Sequence, residues 1–239
     1  MWSSPESCEV AQIVLESDER MVDAIKIFLL TLSALFPIVD PLTGSPIFLA
    51  LTEEFSSQTR RALATRVALD SLFLMVGSYF IGAQVLKFFG VSLPVVQVGG
   101  GLVVVSTGWG MLMAKGDTGR AMERSAAQPD AFGRAFYPLT LPLTVGPGSI
   151  SVAITLGANS THRYGFHIPI VAAALIAMFL IAVSIVLCYG FSDRLARRLG
   201  KSAMAVIVRL SSFLLVCIGV QIMWNGISAL LSSLQVHAR

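Results

Sequence analysis

The stretch LFPIVDPLTGSPIFLA, residues 35–50, places three prolines, a glycine and an aspartate inside a strongly apolar run. A regular buried helix tolerates none of these well. Proline removes a backbone donor and clashes with the carbonyl one turn earlier, and a carboxylate in apolar surroundings is costly unless it is paired. A continuous helix from Lys26 to Glu53 would run about 40 Å, more than the roughly 30 Å hydrocarbon core of a bilayer requires. The spacing therefore predicts a segment interrupted near its middle, at Asp40-Pro41. Ser45-Pro46 reads as an N-cap followed by proline at the first helical position, so a half-helix, PIFLALTEEF, is expected to start there.

The rest of the chain sets this stretch in a membrane. Its 239 residues are 55% hydrophobic and 13% charged, with a mean hydropathy of +0.76. A soluble domain is about a quarter charged. So little polar surface does not cover a water-facing globule, which makes the chain an integral membrane protein. Runs free of charge, apart from Asp40 and Asp70, occupy 27–52, 67–86, 88–114, 135–162, 164–192 and 210–238. Each is long enough to cross as a helix. Strict apolar/polar alternation, the mark of a membrane β-barrel, is absent. The acidic N-terminus has no basic region before an apolar one and is unlike a cleaved signal peptide. Cys8, Cys188 and Cys217 have no metal spacing, and the last two read as small hydrophobes.

Twelve of the 17 basic residues fall on one side of a six-segment arrangement: Arg60, Arg61, Arg66, Lys115, Arg120, Arg124, Arg134, Arg194, Arg197, Arg198, Lys201 and Arg209. The positive-inside rule makes that side cytoplasmic and puts both termini outside. Topology thus explains the basic loops, and no nucleic-acid partner is expected.

The opening stretch has a partner. FPIVDPLTGSP (36–46) lies over YPLTLPLTVGP (137–147) at an offset of 101, with three prolines, a leucine and a threonine in common. Gly101 and Gly108 correspond to Ser212 and Gly219 at an offset of 111, giving each helix a face of small residues suited to close approach. The expected fold is an all-α membrane protein of six transmembrane segments, arranged as two inverted three-helix repeats, with the first and fourth segments discontinuous. Its parts are an N-terminal extracytoplasmic extension (1–20), a first repeat (21–115), a cytoplasmic linker (116–133) and a second repeat (134–239). Paired interrupted segments mark the binding site in many secondary transporters.

Candidate binding residues follow from those breaks. A helix start offers unpaired N–H groups and partial positive charge. Unpaired backbone at membrane depth persists only around a protein-lined or hydrated cavity. The expected substrate-binding set is Asp40, Pro41, Thr43, Gly44, Ser45, Thr144, Gly146, Gly148, Ser149 and Ser151. A small zwitterion suits it, with its carboxylate at a half-helix start and its ammonium near Asp40 or freed carbonyls. Gln97, Arg209 and Asn225 are secondary candidates. Each also has an ordinary reading: helix packing for Gln97, snorkelling for Arg209 and an interhelical hydrogen bond for Asn225. Asp70 reads as the i,i+4 partner of Arg66.

The pattern P-x3-P-L-T followed by P-I-F-L, the segment PLTVGPGSI and the closing RLSSFLLVCIGVQIMWNGI resemble the MarC family of bacterial inner-membrane proteins. The resemblance covers residues 21–232. It implies an inner-membrane location, and relatives described as carriers of small neutral amino acids agree with the zwitterion reading. One position departs from the family, which usually has asparagine where this chain has Asp40. A carboxylate there is a proton or cation coupling site, the mark of a shifted substrate preference, or a structural cap of the broken turn.

No Ser/His/Asp arrangement, H-E-x-x-H, phosphate-binding loop or dinucleotide fingerprint is present, so no enzyme is expected. No cofactor or metal is expected either, apart from H+ or Na+ as a coupling ion. The partners are the lipid bilayer and a small-molecule solute, with homo-oligomerisation left open. The leading expectation is a secondary transporter or exporter of a small zwitterionic solute. An intramembrane enzyme acting on lipid or peptide and a non-transporting scaffold are the competing readings.

Overall fold

A computed structural model describes residues 5–113, 133, 135–164 and 167–237. Within them the chain is all-helical: α1 (Pro5–Val39), α2 (Pro41–Leu51), α3 (Ser57–Phe88), α4 (Leu93–Met113), α5 (Ala135–Thr144), α6 (Pro147–Tyr164), α7 (Ile168–Gly190) and α8 (Ser192–His237). Helix α1 reaches back into the acidic extension. The expected linker, 116–133, lies outside the described residues apart from residue 133.

Five stretches among the described residues are long and apolar enough to cross a membrane: Met21–Leu51, Ser57–Phe88, Leu93–Met113, Ile168–Gly190 and Ser202–Ser233. The expected fourth segment differs from these. It is divided between α5 and α6, and α5 is itself irregular, with extended backbone at Tyr137 and Leu141. Its bonds close over five residues, as Val145 N–H donates to Thr140 O at 2.9 Å and Thr140 Oγ1 to Ala135 O at 2.8 Å.

Local chemistry fixes the ends. Ser56 caps α3 by accepting from Thr59 N–H. Gly90 at φ +68 ends it, with Val91 N–H bonded to Leu86 O in the manner of a Schellman turn. Gly200 at φ +71 breaks α8 ahead of its membrane-length part.

The sequence places the first half-helix start wrongly. Pro46 lies inside α2, and the helix starts at Pro41 with Asp40 as its N-cap. Asp40 is left-handed at φ 37, ψ 69, a conformation that aspartate and asparagine accept more readily than other side chains. Its Oδ1 accepts from Thr43 N–H at 3.3 Å. The carboxylate thus performs the capping that Ser45 was expected to perform. In the second half, α6 starts at Pro147.

Helix α4 packs along the membrane-length part of α8, α3 packs on α6 and α7, and α1 packs on α7. The core between α1, α3 and α7 is filled by Leu35, Val39, Leu63, Val67, Met75, Met178, Ile181 and Ile185, spaced by Ala64, Ala68, Ala174 and Ala177. Phe73, Ile81, Leu102, Phe179, Phe213, Trp109 and Trp224 point outward. In lipid this outward apolar face carries no penalty, and close packing and internal hydrogen bonds hold the helices together instead. The expected small-residue faces meet each other. A Cβ on Gly101 would lie 2.7 Å from Gly219 O, and one on Gly108 would lie 2.9 Å from Ser212 O.

A polar lock ties the α2–α3 turn to the start of α8. Arg60, 7% exposed, donates to both carboxylate oxygens of Asp193 at 2.6 Å. It also donates to Thr52 O and Oγ1 and to Phe55 O. Only a guanidinium reaches all of these acceptors at once. Arg60→Lys keeps the charge and loses the fork, so it is expected to lower stability by about 1.5 kcal/mol in thermal unfolding of the purified protein. Asp70 pairs with Arg66 at 3.4 Å, as the spacing implied.

Candidate functional site: a cavity between the broken segments

A cavity of about 510 Å³ lies where the two interruptions come together. The end of α1 and the start of α2 supply Ile38, Val39, Asp40, Thr43, Gly44 and Ile47. The junction of α5 and α6 supplies Leu143, Thr144, Gly146, Pro147, Gly148 and Ser149. Helix α4 closes a wall with Val103, Val104, Ser106, Thr107, Gly110 and Met111, and α8 adds Leu215. The volume lies within the range of about 300–1,000 Å³ typical of small-molecule sites.

The two helix starts differ in chemistry. At α2 the cap is a carboxylate, and among the described residues Asp40 is the only charged side chain lining the cavity. Its Oδ1 is engaged with Thr43 N–H, while Oδ2 is buried and has no partner. Thr43, 1% exposed, also has a buried Oγ1 without a partner. At α6 the capping position is Gly146, which has no side chain to offer. Ile150 N–H returns to Gly146 O at 3.1 Å, and Ser149 Oγ donates to the same carbonyl at 3.0 Å. Pro147 has no N–H, so the amides of Gly148 and Ser149 remain as the uncapped donors of the first turn. One end of the cavity therefore seeks positive charge and the other seeks negative charge.

Seven of the ten expected binding residues line the cavity: Asp40, Thr43, Gly44, Thr144, Gly146, Gly148 and Ser149. The other three do not. Pro41 is the first helical residue of α2. Ser45 is buried one position past Gly44 on α2, with an unpartnered hydroxyl. Ser151 is used to fasten α6 to α4, donating to Val96 O at 2.9 Å. The secondary candidates also lie outside. Gln97 packs against the Gly226 position of α8, Arg209 is exposed, and Asn225 is exposed and accepts from Gln221 Nε2 at 2.9 Å. Asn225 thus makes its hydrogen bond within its own helix.

Tyr189 was not anticipated. It stacks on Phe48 of α2 with ring centroids 4.5 Å apart, its hydroxyl lies 3.0 Å from Thr144 Oγ1, and a side chain on Gly44 would collide with it. One residue of α7 therefore holds both broken segments against each other. The available signal was a buried-type tyrosine at the end of the most apolar run, whose hydroxyl needs a partner. Thr144 also bonds Leu139 O at 2.7 Å. Tyr189→Phe is accordingly expected to cost only about 1 kcal/mol, read by thermal unfolding. Ser106 and Thr107 of α4 were also missed. They form the polar pair on the side of α4 that Gly101 and Gly108 leave free.

A family model described as MarC family integral membrane protein matches residues 25–231. The UPF0056 inner membrane protein MarC of Salmonella typhimurium (strain LT2) is 34% identical over 216 residues, covering 87% of this chain and 96% of the relative. The proteins of the same name from Citrobacter koseri and Escherichia coli O1:K1 / APEC are 34% identical over 217 and 214 residues, with the same coverage. No solved structure matches. These similarities span both broken segments and every helix that frames the cavity, in an inner-membrane, multi-pass helical protein: the chain belongs to the MarC family of integral membrane proteins.

Proposed function

We propose that the protein is a secondary transporter or exporter of a small zwitterionic solute such as a neutral amino acid, bound in the cavity between the broken segments. The observation that carries this reading is the opposed polarity of the two helix starts. The solute carboxylate lies at the Gly148 and Ser149 amides of α6, and its ammonium lies at Asp40 Oδ2. Apolar lining from Val103, Val104 and Leu143 suits a short aliphatic side chain.

The accompanying architecture is six segments in two inverted repeats, 21–115 and 134–239, with both termini outside and the 116–133 linker in the cytoplasm. Helix pairing supports it. A twofold exchange of the repeats maps the α4–α8 and α3–α7 pairs onto themselves, α1–α7 onto α5–α3 and α2–α7 onto α6–α3, and all of these pairs are made. Asp40 and Leu141, a non-helical position in each broken segment, also fall at the offset of 101. On this reading the protein is not an enzyme and needs no cofactor, and uphill transport draws on an ion gradient.

Accessibility tests the cavity itself. In a background lacking Cys8, Cys188 and Cys217, single cysteines at Ser106 and Thr107, exposed residues of the cavity wall, are expected to react with a small water-soluble thiol reagent. Glycine, alanine or serine is expected to slow that reaction. Positions sealed from both sides of the membrane would remove the argument for a solute site.

A further inference from the structure

We propose that Asp40 holds one positive charge at a time, so that a small monovalent cation and the solute's ammonium displace each other and the protein works as a solute/cation exchanger. This rests on the solute reading above and adds the mode of coupling.

The carboxylate has one free oxygen. Oδ1 is tied to Thr43 N–H, and Oδ2 is buried without a partner. Among the described residues, no basic side chain lines the cavity with it. Cys188 and Tyr189 of α7 lie within its electrostatic reach, a thiol and a phenol that are cationic in no protonation state. From α4 the cavity receives Ser106 and Thr107, from the α5–α6 junction Thr144 and Ser149, and from α8 Leu215, none of which ionises. Asp70, the other acid in the charge-poor runs, already has Arg66. The free oxygen of this carboxylate therefore offers a site for a cation or a proton entering from water.

Two cations share this chemistry. A proton needs Oδ2 alone. Sodium needs several oxygens, and the unpartnered Thr43 Oγ1 stands on the next turn of the same break. In either case the ammonium of the solute needs the same Oδ2. Occupancy is then exclusive: the carrier returns with the cation and travels out with the solute. One cation moves against one zwitterion, so each cycle transfers one positive charge.

The test is solute binding to the purified full-length protein, using radiolabelled glycine, alanine and serine. If the cation is a proton, affinity is expected to fall about tenfold for each pH unit over which the carboxyl is mostly protonated. If it is sodium, the apparent Kd rises in proportion to NaCl when choline chloride holds ionic strength constant. Thr43→Val separates the two, weakening sodium competition and leaving proton competition unchanged. Asp40→Asn is expected to bind solute with no dependence on either cation. Should that variant fail to fold, the wild-type competition still decides. Solute binding that is indifferent to both cations, or strengthened by either, overturns the exchange while leaving the solute site in place. Absence of binding by every solute in the panel overturns both.

Discussion

Gly219→Leu, or Gly101→Leu, is expected to prevent the α4–α8 pair from forming. The two backbones cross with no room for a side chain: a Cβ on Gly219 would lie 2.7 Å from Val105 N and 2.8 Å from Gly101 O. These obstacles are main-chain atoms of a helix, which do not rotate aside. The expected loss is on the order of 3 kcal/mol or more, seen as loss of monodisperse protein and of a cooperative thermal transition. Helices in lipid gain nothing from apolar burial against one another, so separating the backbones removes most of what joins them. Gly77 and Gly99 serve as controls. No atom lies within 4 Å of a Cβ at either position, so alanine there is expected to be neutral or to stabilise by up to about 1 kcal/mol.

Asp40→Asn is expected to weaken binding of a zwitterion by roughly thirtyfold, about 2 kcal/mol, by replacing a charge-assisted hydrogen bond to the ammonium with a neutral one. Asparagine tolerates the left-handed backbone and caps a helix as aspartate does, so α2 should start normally. The loss is therefore specific to the positively charged end of the solute. Acetate or propionate, which carry the carboxylate without the ammonium, should bind the variant and the wild-type protein alike. An equal loss for both classes would show that the mutation had disturbed the cavity as a whole.

Much of this arrangement was legible in the sequence because prolines and small residues act through the backbone. Pro147 marks a helix start because it has no N–H to leave unpaired. Gly101, Gly108, Ser212 and Gly219 mark a close crossing because nothing else fits. The misplaced start at Ser45-Pro46 shows where such reading fails. Two adjacent cap-proline pairs, Asp40-Pro41 and Ser45-Pro46, compete for one helix start. The outcome turns on a left-handed backbone at Asp40 that sequence spacing does not reveal. Ser151 and Asn225 were misjudged for a related reason. A hydroxyl or amide in a membrane helix takes a nearby acceptor, here Val96 O, or a nearby donor, here Gln221 Nε2. The contributions of Tyr189, Ser106 and Thr107 depend on which helix faces lie together, and a single sequence does not specify that.

The central claim is that the cavity between the two breaks carries a small zwitterion across the membrane. Counterflow in proteoliposomes tests it most directly. Vesicles loaded with unlabelled glycine, alanine or serine are diluted into a trace of the labelled solute. The account predicts transient accumulation of label for at least one of the three, reduced in Asp40→Asn at low solute concentration. Label that never exceeds equilibrium in vesicles containing folded wild-type protein, for any of the three, would contradict it.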